Sequence, residues 1–222
     1  MKFKFGISKS AAFINESSTK VVDSAWLELS NLFEFYASDS ERPKMQRSEL
    51  SFHSEVKLLG HLSLFLESLP GDTLEIGVWK GKSLALLSLL TKKGKVIGID
   101  PLEFDQQKEE LNYFHKRIFK DALIIEGYSE LAVRDFLEVT KSLKLLHIDG
   151  GHELRNVILD FLLYAPFVVP GGYVVFDDYG DDRFSPQVRP SVHLLIDFGL
   201  ASNFEIVGQV KQFQNSFIMR KL

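Results

Sequence analysis

The stretch over residues 72–100, DTLEIGVWKGKSLALLSLLTKKGKVIGID, decides the architecture of this 222-residue chain. It reads as a short apolar strand over 73–76, a glycine-bearing turn over 77–81, and an amphipathic helix from Ser83 to about Leu90. A Lys-Lys-Gly break then leads to a second strand over 96–99 that ends in Asp100. The result is one strand-helix-strand unit with its loop at the carboxyl end of the first strand. In open parallel sheets that edge binds nucleotide-like ligands, because the turn and the next helix's N-terminus aim backbone N–H groups into one crevice. A ligand site is therefore expected at 77–81.

Glycine spacing and flanking acids narrow the ligand. A dinucleotide site needs G-x-G-x-x-G so that the backbone can approach a pyrophosphate. Here the pattern is Glu75-x-Gly77-x-x-x-Gly81, with a carboxylate two residues before the first glycine. A buried acid there suits a cationic ligand better than a phosphate, and Asp100 at the end of the next strand can take both hydroxyls of a ribose. Together they suggest a nucleoside carrying a charged amino-acid tail. The spacing speaks against a nicotinamide-dependent oxidoreductase on the same plan. The plainer alternative is an ordinary tight turn in some other doubly wound domain.

The rest of the composition bounds the answer. The length suits one substantial core, so we read 1–48 as an N-terminal helical extension or lid and 49–222 as the main domain. With 45% hydrophobic and 25% charged residues and a net charge of −4, nothing announces a nucleic-acid partner. The absence of cysteine excludes thiol catalysis, disulfides and thiolate metal sites, so a metal must be held by oxygen or imidazole. No window approaches the roughly 18 apolar residues of a membrane span, and the cytoplasm is the simplest location.

In the N-terminal part, Val22, Trp26, Leu29 and Phe33 recur at helical spacing. That helix is either a lid or substrate wall, or it packs on the core or on a second copy in a homo-oligomer. Leu58, Leu62, Phe65 and Leu69 mark one face of a helix over 49–69 that covers the sheet, with His53, Glu55 and His61 read as solvent-facing or capping groups. A charged helix over 104–119 follows Asp100, then a strand over 122–126 ending in Gly127-Tyr128-Ser129, and a helix over 130–139. This alternation points to an α/β, doubly wound parallel sheet with helices on both faces.

The second informative stretch is 143–182, LKLLHIDGGHELRNVILDFLLYAPFVVPGGYVVFDDYGDD. A strand over 144–148 ends at Asp149, a helix over 153–165 crosses back, Pro170-Gly171-Gly172 turns, and a strand over 173–176 ends at Asp177-Asp178. Right-handed crossovers make the two strands neighbours, so Asp149, Asp177 and Asp178 arrive at one edge of the sheet. Three converging carboxylates repel one another, so either some stay protonated or a hard divalent cation such as Mg2+ joins them. Adjacent strand residues face opposite ways, so Asp177 and Asp178 share one ion only if the chain has left strand geometry by Asp178. His152 is placed beside them. It reads as a general base, the role an imidazole takes without large retuning, or as a helix-start histidine, while His147 reads as a packed core residue. Lys80 and Lys82 are read as solvated, and 181–183 as an exposed charge run. The C-terminus reads as a strand pair, 204–210 and 216–220, around a polar turn at 211–215.

EIGVWKGKS, HIDGGHELRNVILD and GGYVVFDDYGDD, in this order, resemble the class I S-adenosylmethionine (SAM) methyltransferases. The similarity is closest to the macrocin O-methyltransferase-like and cephalosporin hydroxylase-like branch and covers about 52–182. The resemblance implies a seven-stranded sheet of order 3-2-1-4-5-7-6 with an antiparallel end and a Mg2+-assisted O-methyltransferase acting on a small hydroxylated molecule. It also implies that Glu75, Gly77, Gly81 and Ser83 surround the methionine part of SAM, that Asp100 holds the ribose, and that Ser129 borders the adenine. Asp149, Asp177 and Asp178 match the family's metal carboxylates, with Asp149 and His152 as its catalytic pair. Tyr128 departs from the acid common after the turn glycine, so the adenine contact passes to Ser129, to the backbone or to stacking on Tyr128. A domain that binds SAM without catalysis is the remaining alternative.

Overall fold

The computed structural model describes residues 11–46 and 54–222. Seven strands, β1 (Asp72–Ile76), β2 (Val96–Asp100), β3 (Leu123–Glu126), β4 (Leu143–Ile148), β5 (Val168–Phe176), β6 (Phe204–Val210) and β7 (Phe213–Lys221), form one sheet in the order β3-β2-β1-β4-β5-β7-β6. Pairing is parallel from β3 to β5 and antiparallel at β5-β7 and β7-β6, as the resemblance implied. The interior strands are apolar on both sides because helices cover both faces of the sheet.

On one face lie α1 (Glu16–Ala37), α2 (Lys57–Phe65), α3 (Lys82–Leu90) and α4 (Gln107–Ile118), joined to strand residues such as Leu145 and Val175 in one core. On the other lie α5 (Val133–Val139), α6 (Leu154–Tyr164) and α7 (Ser185–Asp197), packed on Leu146, Val174 and Phe176. Asn15 caps α1 in a reciprocal capping box with Ser18, and Val22, Ala25, Leu29 and Phe33 are the face α1 buries. Of the roles open to this segment, packing on the core is therefore visible in its contacts.

Several local expectations are corrected. Residues 170–172 do not turn between elements; they form an irregularity inside β5, where Leu143 pairs with Val168 and Leu145 with Tyr173. The β6-β7 connection is only Lys211-Gln212, because β7 begins at Phe213. Over 49–69, a 3-10 turn at Ser54–Val56 precedes α2, and residues 49–53, including His53, lie outside the described residues. Phe65 is half exposed, whereas Leu66 closes that face. His61 is not solvent-facing: it is 3% exposed and hydrogen-bonds the Ser18 hydroxyl at 3.0 Å, tying α2 to α1. No helix among the described residues is long and apolar enough to cross a membrane.

Candidate active site

The loop after β1 is shaped by its own packing. A Cβ on Gly77 would collide with the Asp149 carbonyl, and one on Gly81 with the Phe119 ring, so both glycines permit close approach of protein to protein. Both have positive φ, and Trp79 between them adopts φ +51, a conformation uncommon for a side chain of that size. Asp100 holds this bend: its Oδ2 accepts from the N–H groups of Val78 (2.8 Å) and Trp79 (2.9 Å), and its Oδ1 from Leu102 N (2.8 Å) and Gln107 Nε2 (3.1 Å). A carboxylate offers about four acceptor positions, and here the chain occupies them. Ser83 is half-buried in the first turn of α3.

Lys80 is not solvated. It is 1% exposed, with Nζ 3.1 Å from Glu110 Oε2, while Arg42 Nε approaches Oε1 of the same carboxylate at 3.2 Å. One buried acid on α4 thus joins the loop to the segment after α1, where Tyr113 also donates to Asp39. Lys82 is part-buried, and burial with the neighbouring Lys80 charge pulls its amine down to about 8.

Glu75 is fully buried, and its Oε1 lies 2.9 Å from His147 Nδ1; its Oε2 is buried without a hydrogen-bond partner among the described residues. Burial opposes charge on His147, but Glu75, with Asp177 and Asp178 beyond, holds the imidazole above the usual histidine range. The sequence placed His147 correctly in the core. Its partner Glu75 sits opposite it in the β1-β4 register, and that pairing becomes legible only once the two strands are known to be neighbours.

At the acidic edge, Asp149, Asp177 and Asp178 do converge. β5 ends at Phe176 and Asp178 has φ +56, so the chain has left strand geometry where a shared site requires it. Ligating atoms of Asp149, His152 and Asp178 lie within 4.8 Å of one another, as do those of His147, Asp149 and Asp177. Asp149 is thus common to two triads. Burial, then the charges of Asp177 and Asp178, push the Asp149 carboxyl well above the usual range; burial raises Asp177 too, against the pull of His147. His152 Nε2 is 2.6 Å from Asp178 Oδ2, and its ring stacks on Phe184 at 4.0 Å and 14°. Glu55, expected as a solvent-facing or capping group, is part-buried and feels Asp177, and burial followed by that charge raises its carboxyl. Asp181 is clamped by Arg183 at 2.8 Å and lowered to about 2.

At the turn after β3, Ser129 donates to Asp160 of α6, and Tyr128 donates to Glu103 at 2.6 Å. Asp160 carries no motif that singles it out in sequence; its partner lies 31 residues away.

The model of the methyltransferase domain family matches residues 74–179. The chain is 37% identical over 171 residues to the uncharacterized protein R132 of Acanthamoeba polyphaga mimivirus, covering 71% of this chain and 76% of that one. Among solved structures, the O-methyltransferase NovP superposes with a TM-score of 0.63 at 15% identity, covering 92% of this chain and 99% of that one. The methyltransferase MycE, in complex with Mg, S-adenosylhomocysteine and mycinamycin VI, gives a TM-score of 0.56 at 21% identity, covering 87% of this chain and 54% of MycE. Residues 74–179 belong to the methyltransferase domain family.

Proposed function

We propose that the protein transfers the methyl group of SAM to a hydroxyl oxygen of a small molecule, with a divalent cation such as Mg2+ at the acidic edge. The observation that carries this reading is the convergence of Asp149, Asp177 and Asp178 with His152 against the loop that begins at Gly77. Oxygen ligands with one imidazole nearby suit a hard cation, and carboxyls driven up by burial and mutual repulsion are those a cation would relieve. Asp149 and Asp178 with Asp177 would hold it. SAM supplies an electrophilic methyl carbon on a sulfonium, and Mg2+ supplies positive charge that lowers the pKa of a bound hydroxyl.

The chain's own residues do the rest. His152, oriented by Asp178 and Phe184, takes the proton of the attacking hydroxyl as the new C–O bond forms and the C–S bond breaks. Asp178, 2.6 Å away, stabilises the imidazolium that results. Glu75 Oε2, an acceptor without a partner among the described residues, is the atom we assign to the methionine ammonium, directly or through water. The ribose assignment of Asp100 requires one of its four donors to yield. Gln107, at the longest distance of 3.1 Å, is the one we assign.

The test is turnover with SAM and Mg2+ on a panel of small molecules bearing two neighbouring hydroxyls, read as S-adenosylhomocysteine release and a methyl mass gain on the acceptor. Wild type should turn over, and Asp149→Ala should still bind S-adenosylhomocysteine but not react. Undiminished turnover in Asp149→Ala overturns the reading.

A further inference from the structure

Asp160 is a buried carboxylate that the proposed chemistry leaves unused. It is 2% exposed and lies on α6, with its Oδ2 3.3 Å from where a Cβ on Gly150 would lie. Its Oδ1 accepts from the Ser129 hydroxyl, and Tyr164, one helical turn on, donates its own hydroxyl to the Ser129 carbonyl at 2.6 Å. Two residues of one helix therefore hold the side chain and the main chain of a single turn residue. The other hydroxyl of that turn, on Tyr128, is committed to Glu103 on the loop after β2.

A serine hydroxyl has one proton to donate and two lone pairs to accept with. With its proton given to Asp160, Ser129 can offer a neighbouring ligand only acceptor capacity. A purine carrying an amino group at C6 donates to such an atom, whereas a 6-oxopurine would set acceptor against acceptor. Burial raises the Asp160 carboxyl to about 6, while the Ser129 bond opposes that rise and the Glu130 charge adds to it, so near neutral pH it is chiefly the ionised acceptor.

We propose that Asp160 is a positioning residue that fixes Ser129 as a hydrogen-bond acceptor and so makes the site select a 6-aminopurine cofactor over its 6-oxo counterpart. The inference rests on the cofactor reading above, with the adenine at the turn after β3. An amide at position 160 can donate to Ser129 and release the serine proton outward, which would erase the preference.

The experiment compares two ligands, S-adenosylhomocysteine and S-inosylhomocysteine, by calorimetric titration into wild type, Asp160→Asn and Ser129→Ala. Wild type should favour the adenosyl ligand by about tenfold or more, the effect of one mismatched buried polar contact. The ratio should fall several-fold in Asp160→Asn and in Ser129→Ala. A purely structural role for Asp160 weakens both ligands together, so an unchanged ratio with retained S-adenosylhomocysteine binding overturns this inference alone. If Asp160→Asn does not fold, an unchanged ratio in Ser129→Ala does the same. Failure of wild type to bind S-adenosylhomocysteine overturns the cofactor reading and this inference with it.

Discussion

The glycine loop and the acidic edge lie side by side at the end of the same sheet, yet their charges are managed in opposite ways. At the loop, Asp100 accepts from four donors, and Glu110 pairs with both Lys80 and Arg42 in the interior. At the edge, Asp149 is part-buried, and desolvation with the charges of Asp177, Asp178 and Glu75 drives it toward its protonated form. The difference teaches that the chain meets Asp100 with its own donors, whereas it gathers Asp149, Asp177 and Asp178 at the edge with only His147 and His152 beside them. On the function proposed above, the loop would serve the cofactor and the edge, with a cation, the acceptor, a division that suits methyl transfer, where alignment is the protein's main task.

The largest effect should come from breaking the balanced half. Glu110→Gln would leave Lys80 and Arg42 buried beside each other without their acid, and loss of one partner from a buried ion pair costs about 3–5 kcal/mol. Chemical denaturation should show a loss of that order; a variant as stable as wild type would mean that the buried cations find other compensation.

A smaller effect should come from completing the unbalanced half. Mg2+ at about a hundred times its dissociation constant should stabilise wild type by about 2.7 kcal/mol. The thermal midpoint should rise accordingly, and Asp149→Asn should abolish the increment. An equal rise in both proteins would place the ion elsewhere.

The smallest effect sharpens the contrast with a lone buried acid. The folded pKa of Asp160 is raised from 3.8 to about 6, so its protonated form is the one that favours folding. That contribution is fully present below pH 3.8 and is lost as pH rises through about 6. Between pH 5 and pH 7 the loss amounts to about 1 kcal/mol. Asp160→Asn has no such titration, so its stability relative to wild type should improve by that amount over the same interval. A pH-independent difference would contradict the assignment.

What the sequence disclosed follows from how local each signal is. The strand-loop-helix of 72–100 was legible because apolar runs, glycines and a terminal acid are contiguous, and the order of the acids after β4 and β5 followed from crossover handedness. α7 was missed because Pro186 and Pro190 break the helical reading of 185–197, although the first sits in the opening turn, where its missing N–H is harmless. Lys80 looked solvated because its partner, Glu110, lies on the next helix but one in an exposed-looking charged segment. His61, Glu55 and Asp160 were illegible as site or core residues for the same reason: each is defined by a partner distant in sequence, Ser18, Asp177 and Ser129 respectively.

The central claim is that the cofactor half stands without the metal while the acceptor half does not. Calorimetric titration of S-adenosylhomocysteine into the purified protein, once with Mg2+ and once with EDTA, tests it most directly. Equal affinity in the two conditions is the predicted result. Binding that disappears in EDTA would contradict the division between the halves, and no binding in either condition would contradict the cofactor site itself.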